Sequence, residues 1–332
     1  MKINFTQTHQ SFTHLIKSKS VNNQKLILFS DYDYFLSKRD MKILVREYQY
    51  IFIIPSQNQP VISIEQRLLD LLPSLSEITW VNNAEPTKSV WYLNIIHEFN
   101  KPLHIINVQE FCETRLKKIY ISARLHTITL LTNLQPLSYK INILKRVMDV
   151  SASSVLIGVT IPIWVFSNFI IKKQSPGPAF YRQKRVGLNE EEFDIVKFRS
   201  MRLDAEANGA QFSAKNDNRT FPYGALMRAT RIDELPQLIN VFRGELSLIG
   251  PRPERKIFID SFEEYIPHYN QRHLIKPGIT GYAQVMYPYG VGIHDARHKL
   301  MYDLYYIKNW SIGLELKIIF RTIITILLKR GI

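Results

Sequence analysis

Apolar and polar positions divide the chain into an alternating first part, one long apolar run and a mixed remainder. Through residue 140, KLILFS from 25, YIFII from 50, EITWV from 77 and PLHIIN from 102 read as strands. Between them, IEQRLLDLL (64–72) and SVWYLNIIHEF (89–99) have helical spacing. This alternation predicts an α/β domain over residues 1–140, Rossmann-like, around a mostly parallel sheet. All 13 glycines lie at or after Gly158. Dinucleotide and phosphate cradles use glycine where backbone approaches phosphate, so a regulatory or docking domain is expected here, not a cofactor site.

Val147 to Ile171 form the longest apolar run, 25 residues with Asp149 as the one charge. A straight helix of that length reaches roughly 37 Å, more than the ~30 Å of a bilayer's hydrocarbon core. Pro162 lies inside it, and proline removes a helical donor and clashes with the carbonyl four residues back. The run is expected to kink or break, leaving two arms each too short to span. Lys145 and Arg146 precede it and Lys172, Lys173, Arg182, Lys184 and Arg185 follow, so both ends read as cytoplasmic under the positive-inside bias. A re-entrant hairpin satisfies both observations; a kinked full span and a buried core helix are the alternatives.

Beyond the run, Ser175-Pro-Gly-Pro178 is a turn, and AFYRQKRV (179–186) and FDIVKFRSM (193–201) read as a hairpin across GLNEEE. Residues 203–222 are polar and aperiodic, suited to a flap. Near the C-terminus, Ile312, Leu316, Ile319, Phe320, Ile323, Ile326 and Leu327 share one helical face, with Lys317, Arg321 and Thr325 opposite. That pattern predicts a helix lying in the membrane interface, with packing on a core as the alternative. Tyr302, Tyr305, Tyr306 and Trp310 suit either headgroups or a core.

Charge sharpens this picture. The formal charge is +14, pointing to nucleic acid, an anionic membrane or a phosphorylated substrate. Residues 1–140 hold 16 Lys and Arg against 11 Asp and Glu (+5), the remainder 27 against 18 (+9). The excess lies on the side of the apolar run, which favours membrane lipids and phosphates over nucleic acid. Cys112 is the single cysteine, so disulfides and thiolate clusters within the chain are excluded, and a reducing compartment fits. MKINFTQTHQSFTH has no signal-peptide apolar core.

The candidate chemistry centres on Asp233 and Glu234. Pro236 marks a helix start, which puts Asp233 at or near the N-cap, a placement that capping alone explains. With Arg228 and Arg231 close by, the carboxylate is expected to stay ionised and available as a nucleophile toward phosphorus. Glu234 would offer a hard oxygen ligand to Mg²⁺. Arg252, between Pro251 and Pro253, is a stiffened guanidinium suited to phosphate, or an exposed turn residue. His294 and His298 have zinc-ligand spacing but no general base or third ligand, which favours a solvated helix face.

KFRSM (197–201), RIDELPQLINVF (231–242), GELSLIGPRPE (244–254) and KPGITGYAQV (276–285), following SPGPAFYRQKRVG, occur in one order. Over about residues 141–332 the chain resembles the bacterial sugar transferase family, the monotopic polyprenyl-phosphate phosphoglycosyl transferases. The resemblance implies a mainly helical α+β catalytic domain anchored by a re-entrant helix on the cytoplasmic face of the inner membrane. It implies transfer of a sugar-1-phosphate from a UDP-sugar to undecaprenyl phosphate, with UMP released, as an initiating step of exopolysaccharide, capsule or O-antigen synthesis. By the same resemblance Asp233 is the nucleophile of a phosphosugar-aspartyl intermediate, Glu234 the Mg²⁺ partner and Arg252 a phosphate clamp. Lys197, Arg199 and Arg231 are substrate-binding candidates, and a homodimer is a candidate assembly. The family commonly breaks its re-entrant helix at Ser-Pro; here Ile161 precedes Pro162, and the nearest hydroxyl is that of Thr160. Longer members carry membrane spans ahead of an α/β module, and residues 1–140 resemble the module alone. The competing readings are a basic membrane-docked scaffold without chemistry and a lipid-linked-sugar glycosyltransferase that releases UDP.

Overall fold

The computed structural model describes the chain except for residues 1–13, 19–20, 22, 33–35, 56–65, 67–68, 83–93, 95, 98–99, 122–133, 206–216, 288–289, 291 and 328–332. It divides into two compact units, residues 1–127 and 128–332.

The first unit is a mixed five-stranded sheet in the order β1-β3-β2-β4-β5, made of β1 (His14–Lys17), β2 (Lys25–Tyr32), β3 (Tyr50–Pro55), β4 (Glu77–Asn82) and β5 (Leu103–Asn107). Strands β3, β2, β4 and β5 run parallel, and β1 adds antiparallel to β3. The four apolar runs read from the sequence are these parallel strands; the edge strand β1 carries no comparable run. Leu26 to Phe29 are wholly buried, which is why the central strand reads as continuous apolar residues and not as an alternation. Helix α1 (Lys38–Glu47) starts at a capping box between Ser37 and Asp40. Asp40 also takes the ammonium of Lys118 at 2.6 Å, with both side chains fully buried. A short helix α2 (Val108–Phe111) follows β5. The helices expected at 64–72 and 89–99 lie largely outside the described residues.

The second unit is mainly helical with two small sheets. Its first element, α3 (Tyr139–Gln174), is a single 36-residue helix with Pro162 inside it. It begins eight residues before the expected run, and proline does not break it. The hydroxyl of Thr160 donates to the carbonyls of Leu156, at 2.6 Å, and Ile157, at 3.4 Å, and so stays within its own turn. The helix is long and apolar enough to cross a membrane, with mean hydropathy 2.0 over its most apolar window. Its two flanks pack on the unit: Asp149 accepts from Ser247 Oγ at 2.7 Å and Leu248 N at 2.9 Å, and Arg146 donates to the carbonyls of Val241 and Phe242. Further along, Ser167 bonds Tyr223 OH at 2.8 Å and Trp164 meets Phe198 edge-on. Between these contacts the surface is apolar and uncovered, with Val155 64% and Val159 70% exposed.

The hairpin forms as read: β6 (Phe180–Val186) pairs antiparallel with β7 (Glu192–Phe198). Next come α4 (Pro222–Thr230) and α5 (Gln237–Arg243), then β8 (Ser247–Ile249), α6 (Lys256–Glu263) and β9 (Gly278–Thr280). Strands β8 and β9 pair in parallel, which lays the GPRP and KPGITG loops against each other. A Cβ on Gly278 would stand 2.1 Å from Gly250 N, so the two loops approach only because both positions are glycine. The chain closes with α7 (Tyr282–Met286), α8 (Ile293–Lys308) and α9 (Ile312–Leu327). Tyr302 and Tyr306 are core residues. In α9, Glu315 and Ile318 face the protein, while Leu316, Phe320, Ile323 and Leu327 of the expected stripe are exposed.

Candidate active site

A cavity of about 690 Å³ lies in the second unit, within the range of small-molecule sites. Arg185, Lys197, Arg228, Arg231, Arg252 and Arg272 are among its lining residues, with Asp233, Glu254 and Asp303 as acids. Such a wall suits an anion with several charges, a diphosphate for example.

Asp233 of the dyad reaches this cavity through a reversal of the chain. α4 ends at Arg231, whose left-handed backbone (φ 62°, ψ 16°) is uncommon for a residue with a side chain. A 3₁₀ turn over Ile232–Glu234 follows, and α5 is capped by Pro236 with no side-chain hydrogen bond. Asp233 is therefore not the N-cap. It sits one turn earlier, 9% exposed, on the cavity wall.

The two carboxylates have opposite surroundings. Glu234 Oε1 takes Arg252 Nη2 at 3.0 Å, Lys197 Nζ at 3.4 Å and Arg231 Nη1 at 3.6 Å. Burial opposes its charge, but Arg252, Lys197 and Arg231 outweigh burial and hold the carboxyl below its usual range. Asp233 has no such partner among the described residues. Burial, then the adjacent Glu234 charge, push its carboxyl up to about 6 against the pull of Lys197, Arg231 and Arg228. The surroundings of Asp233 differ from those expected of it: the cations gather on Glu234, and α5 starts after the dyad, so neither an ion pair nor a helix start favours the charged form of Asp233 as the sequence suggested.

Among the described residues no three His, Cys, Asp or Glu cluster as a metal site. The dyad nevertheless fits Mg²⁺, which proteins hold by one or two carboxylates completed by phosphate and water. Asp233 Oδ1 is buried without a hydrogen-bond partner among the described residues, and the ion pairs of Glu234 all fall on Oε1.

Of the other sequence candidates, Lys197, Arg231 and Arg252 converge on Glu234. Arg199 lines the cavity, but its guanidinium donates to the carbonyls of Ser175 and Pro176, so it staples the SPGP turn to the end of β7. The base of the expected flap is closed by a bridge between Met201 and Thr220; residues 206–216 lie outside the described part. His298 stacks on Tyr287 at 5.1 Å in the interior. Sequence reasoning missed Arg272 and Asp303. Arg272 stands four residues before Lys276 of the KPGITG motif, and that proximity was the available signal.

The family model for bacterial sugar transferases matches residues 140–329, which include every residue of this cavity. The chain belongs to the bacterial sugar transferase family. As a member, it is 46% identical over 188 residues to a UDP-N-acetylgalactosamine-undecaprenyl-phosphate N-acetylgalactosaminephosphotransferase of Aeromonas hydrophila, covering 57% of this chain and 44% of the relative. A UDP-glucose:undecaprenyl-phosphate glucose-1-phosphate transferase of Caulobacter vibrioides is 38% identical over 56% of this chain and 71% of its own length. The exopolysaccharide production protein PSS of Rhizobium leguminosarum bv. phaseoli is 39% identical over 55% of this chain and 94% of its own. This sugar transferase thus spans less than half of the Aeromonas relative and most of the other two. Its first 139 residues lie outside the family match.

Proposed function

We propose that this sugar transferase moves a sugar-1-phosphate from a UDP-sugar to undecaprenyl phosphate, through a covalent intermediate on Asp233, on one face of the membrane. The observation that carries the reading is Asp233 itself: a carboxylate without an ion pair among the described residues, on the wall of a cationic cavity, beside a second carboxylate that holds the cations. In the first step an Asp233 oxygen attacks the sugar-bearing phosphorus. The bond from that phosphorus to the bridging oxygen breaks, and UMP leaves with the electron pair. In the second, a phosphate oxygen of undecaprenyl phosphate attacks the same phosphorus and Asp233 departs as carboxylate. A carboxylate raised to about 6 is almost wholly ionised at neutral pH and is a stronger nucleophile than an ordinary one. Lys197, Arg231 and Arg252, held in place by Glu234, would face the developing phosphate charge without reorganising. Mg²⁺, when bound through Glu234, would neutralise charge on the diphosphate.

The membrane arrangement supports the same reading. Both flanks of α3 are tied to one compact unit, and a full span would carry them to faces ~30 Å apart. The stretch between the buried Ser153 and Ser167, residues 154–166, carries the exposed apolar side chains over roughly 20 Å of helix, about two thirds of a hydrocarbon core. A re-entrant dip fits this, and the outward apolar stripe of α9 suits the interface beside it. Thr325 of α9 lines the cavity, so the membrane-facing helix also borders the site where a lipid phosphate would arrive.

The test is UMP release by the full chain across a panel of UDP-sugars with undecaprenyl phosphate and Mg²⁺, wild type against Asp233→Asn. We expect at least a ~1,000-fold loss in the variant, and β-³²P from the donor retained on wild-type protein alone. Wild-type turnover in Asp233→Asn, or UDP as the product, overturns the mechanism.

A further inference from the structure

Four consecutive carbonyls, from Pro251 to Glu254, are held by three parts of the unit: β6, β9 and the segment that carries Arg272. Pro251 O accepts from Gly278 N at 2.9 Å and Glu254 O from Val186 N at 3.0 Å. The two between them are taken by side chains: Arg252 O by Arg272 Nη2 at 2.8 Å, and Pro253 O by Arg185 Nη1 at 3.3 Å. The Arg252 side chain, by contrast, is 36% exposed and reaches Glu234 across the cavity wall.

Arg272 is unusual among these partners. It is 5% exposed, and its guanidinium also donates to Tyr269 OH at 2.5 Å and pairs with Asp303 at 3.1 Å. Asp303 is 2% exposed. Taking two charges out of water to hold one main-chain oxygen is costly, and an apolar pair of similar volume would serve stability as well or better. The arrangement has a purpose if the position of Arg252 matters more than the stability of the fold.

We infer that Arg272, supported by Asp303, is a positioning residue that fixes the phosphate clamp Arg252 by gripping its main-chain carbonyl. The inference rests on the transfer reaction proposed above, in which the Arg252 guanidinium meets a phosphate. Displacement of a positioned group by about 1 Å lowers rates on the order of 100-fold, so a grip on the backbone is worth having at this residue. A lysine at 272 would keep the charge but lose the planar fork that serves Tyr269, Asp303 and Arg252 together.

The experiment compares wild type, Arg272→Lys and the double variant Arg272→Met/Asp303→Leu, as full chains in nanodiscs. The double variant removes both charges together and leaves neither stranded. We expect it to melt within a few degrees of wild type, yet to release UMP ~10- to 100-fold more slowly. Amides between Gly250 and Arg255 should exchange faster. Arg272→Lys should show the same loss of kcat and faster exchange. If the double variant does not fold, Arg272→Lys decides. Wild-type kcat together with unchanged exchange in the folded variant overturns the inference. Should wild type release no UMP from any UDP-sugar, the transfer reading fails, and exchange across 250–255 still decides whether Arg272 positions the loop.

Discussion

Asp233 and Glu234 are adjacent in sequence, and the fold drives their acidities apart. Pairs separated in this way commonly mark a division of labour, one group held charged and the other poised. Two consequences can be measured. In the proposed transfer the attack requires ionised Asp233, so kcat/KM for the donor should fall as pH drops through about 6, tenfold per unit below it. For stability the sign is opposite. A carboxyl raised on folding binds its proton more tightly in the native state, so its ionisation costs stability above about 6 and nothing below the ordinary value of 3.8. Asp233→Asn should therefore raise Tm by a few degrees at pH 7.5, an advantage that shrinks as pH falls toward 4, read by calorimetry at both pH values. The presence of two acids was legible in the sequence. Their inequality was not, because it depends on Lys197 and Arg252, 37 and 18 residues from Glu234.

Among the elements, α3 is fastened by the one charge in its apolar run. Asp149 would be an expensive residue to bury, and its two hydrogen bonds to Ser247 and Leu248 join α3 to the strand that leads into the GPRP loop. Asp149→Leu should cost about 2–4 kcal/mol, leaving Leu248 N–H without its acceptor, and lower Tm by several degrees in a thermal melt. Glu315 plays a matching part at α9, where Oε1 accepts from Lys145 at 2.8 Å, Tyr306 at 2.5 Å and Trp310 at 2.8 Å. Strands were legible because apolar runs of five or six residues bounded by polar turns have few other solutions. The apolar face of α9 was legible as a stripe, but spacing cannot say whether a stripe faces a core; here the core takes Glu315 and Ile318, and the stripe looks outward. Pro162 misled in one respect. A proline removes one helical bond, and in a helix of this length the turns on either side retain theirs.

For the whole molecule, the decisive relation is that the flanks of α3 and the cavity belong to one compact unit. In a Cys112→Ser background, cysteines placed at Lys140 and at Lys173, both exposed, should react with an impermeant maleimide from the same side of sealed membrane vesicles. Labelling of one from each side would make α3 a true span. The charge distribution agrees with a single docking face, since the larger share of the +14 belongs to residues 141–332. The role of the first unit was the least legible part of the chain, because a sheet of this kind is a scaffold for many functions, and none of its described residues collects a site.

An anchor that dips and returns, as proposed above, would have a consequence for the lipid product of the proposed transfer. Donor, acceptor and Asp233 would then meet at one leaflet. The new sugar headgroup would be left facing the compartment that supplied the nucleotide. Its passage to the far leaflet would call for a separate translocating protein, which would receive a substrate already charged, bulky and oriented.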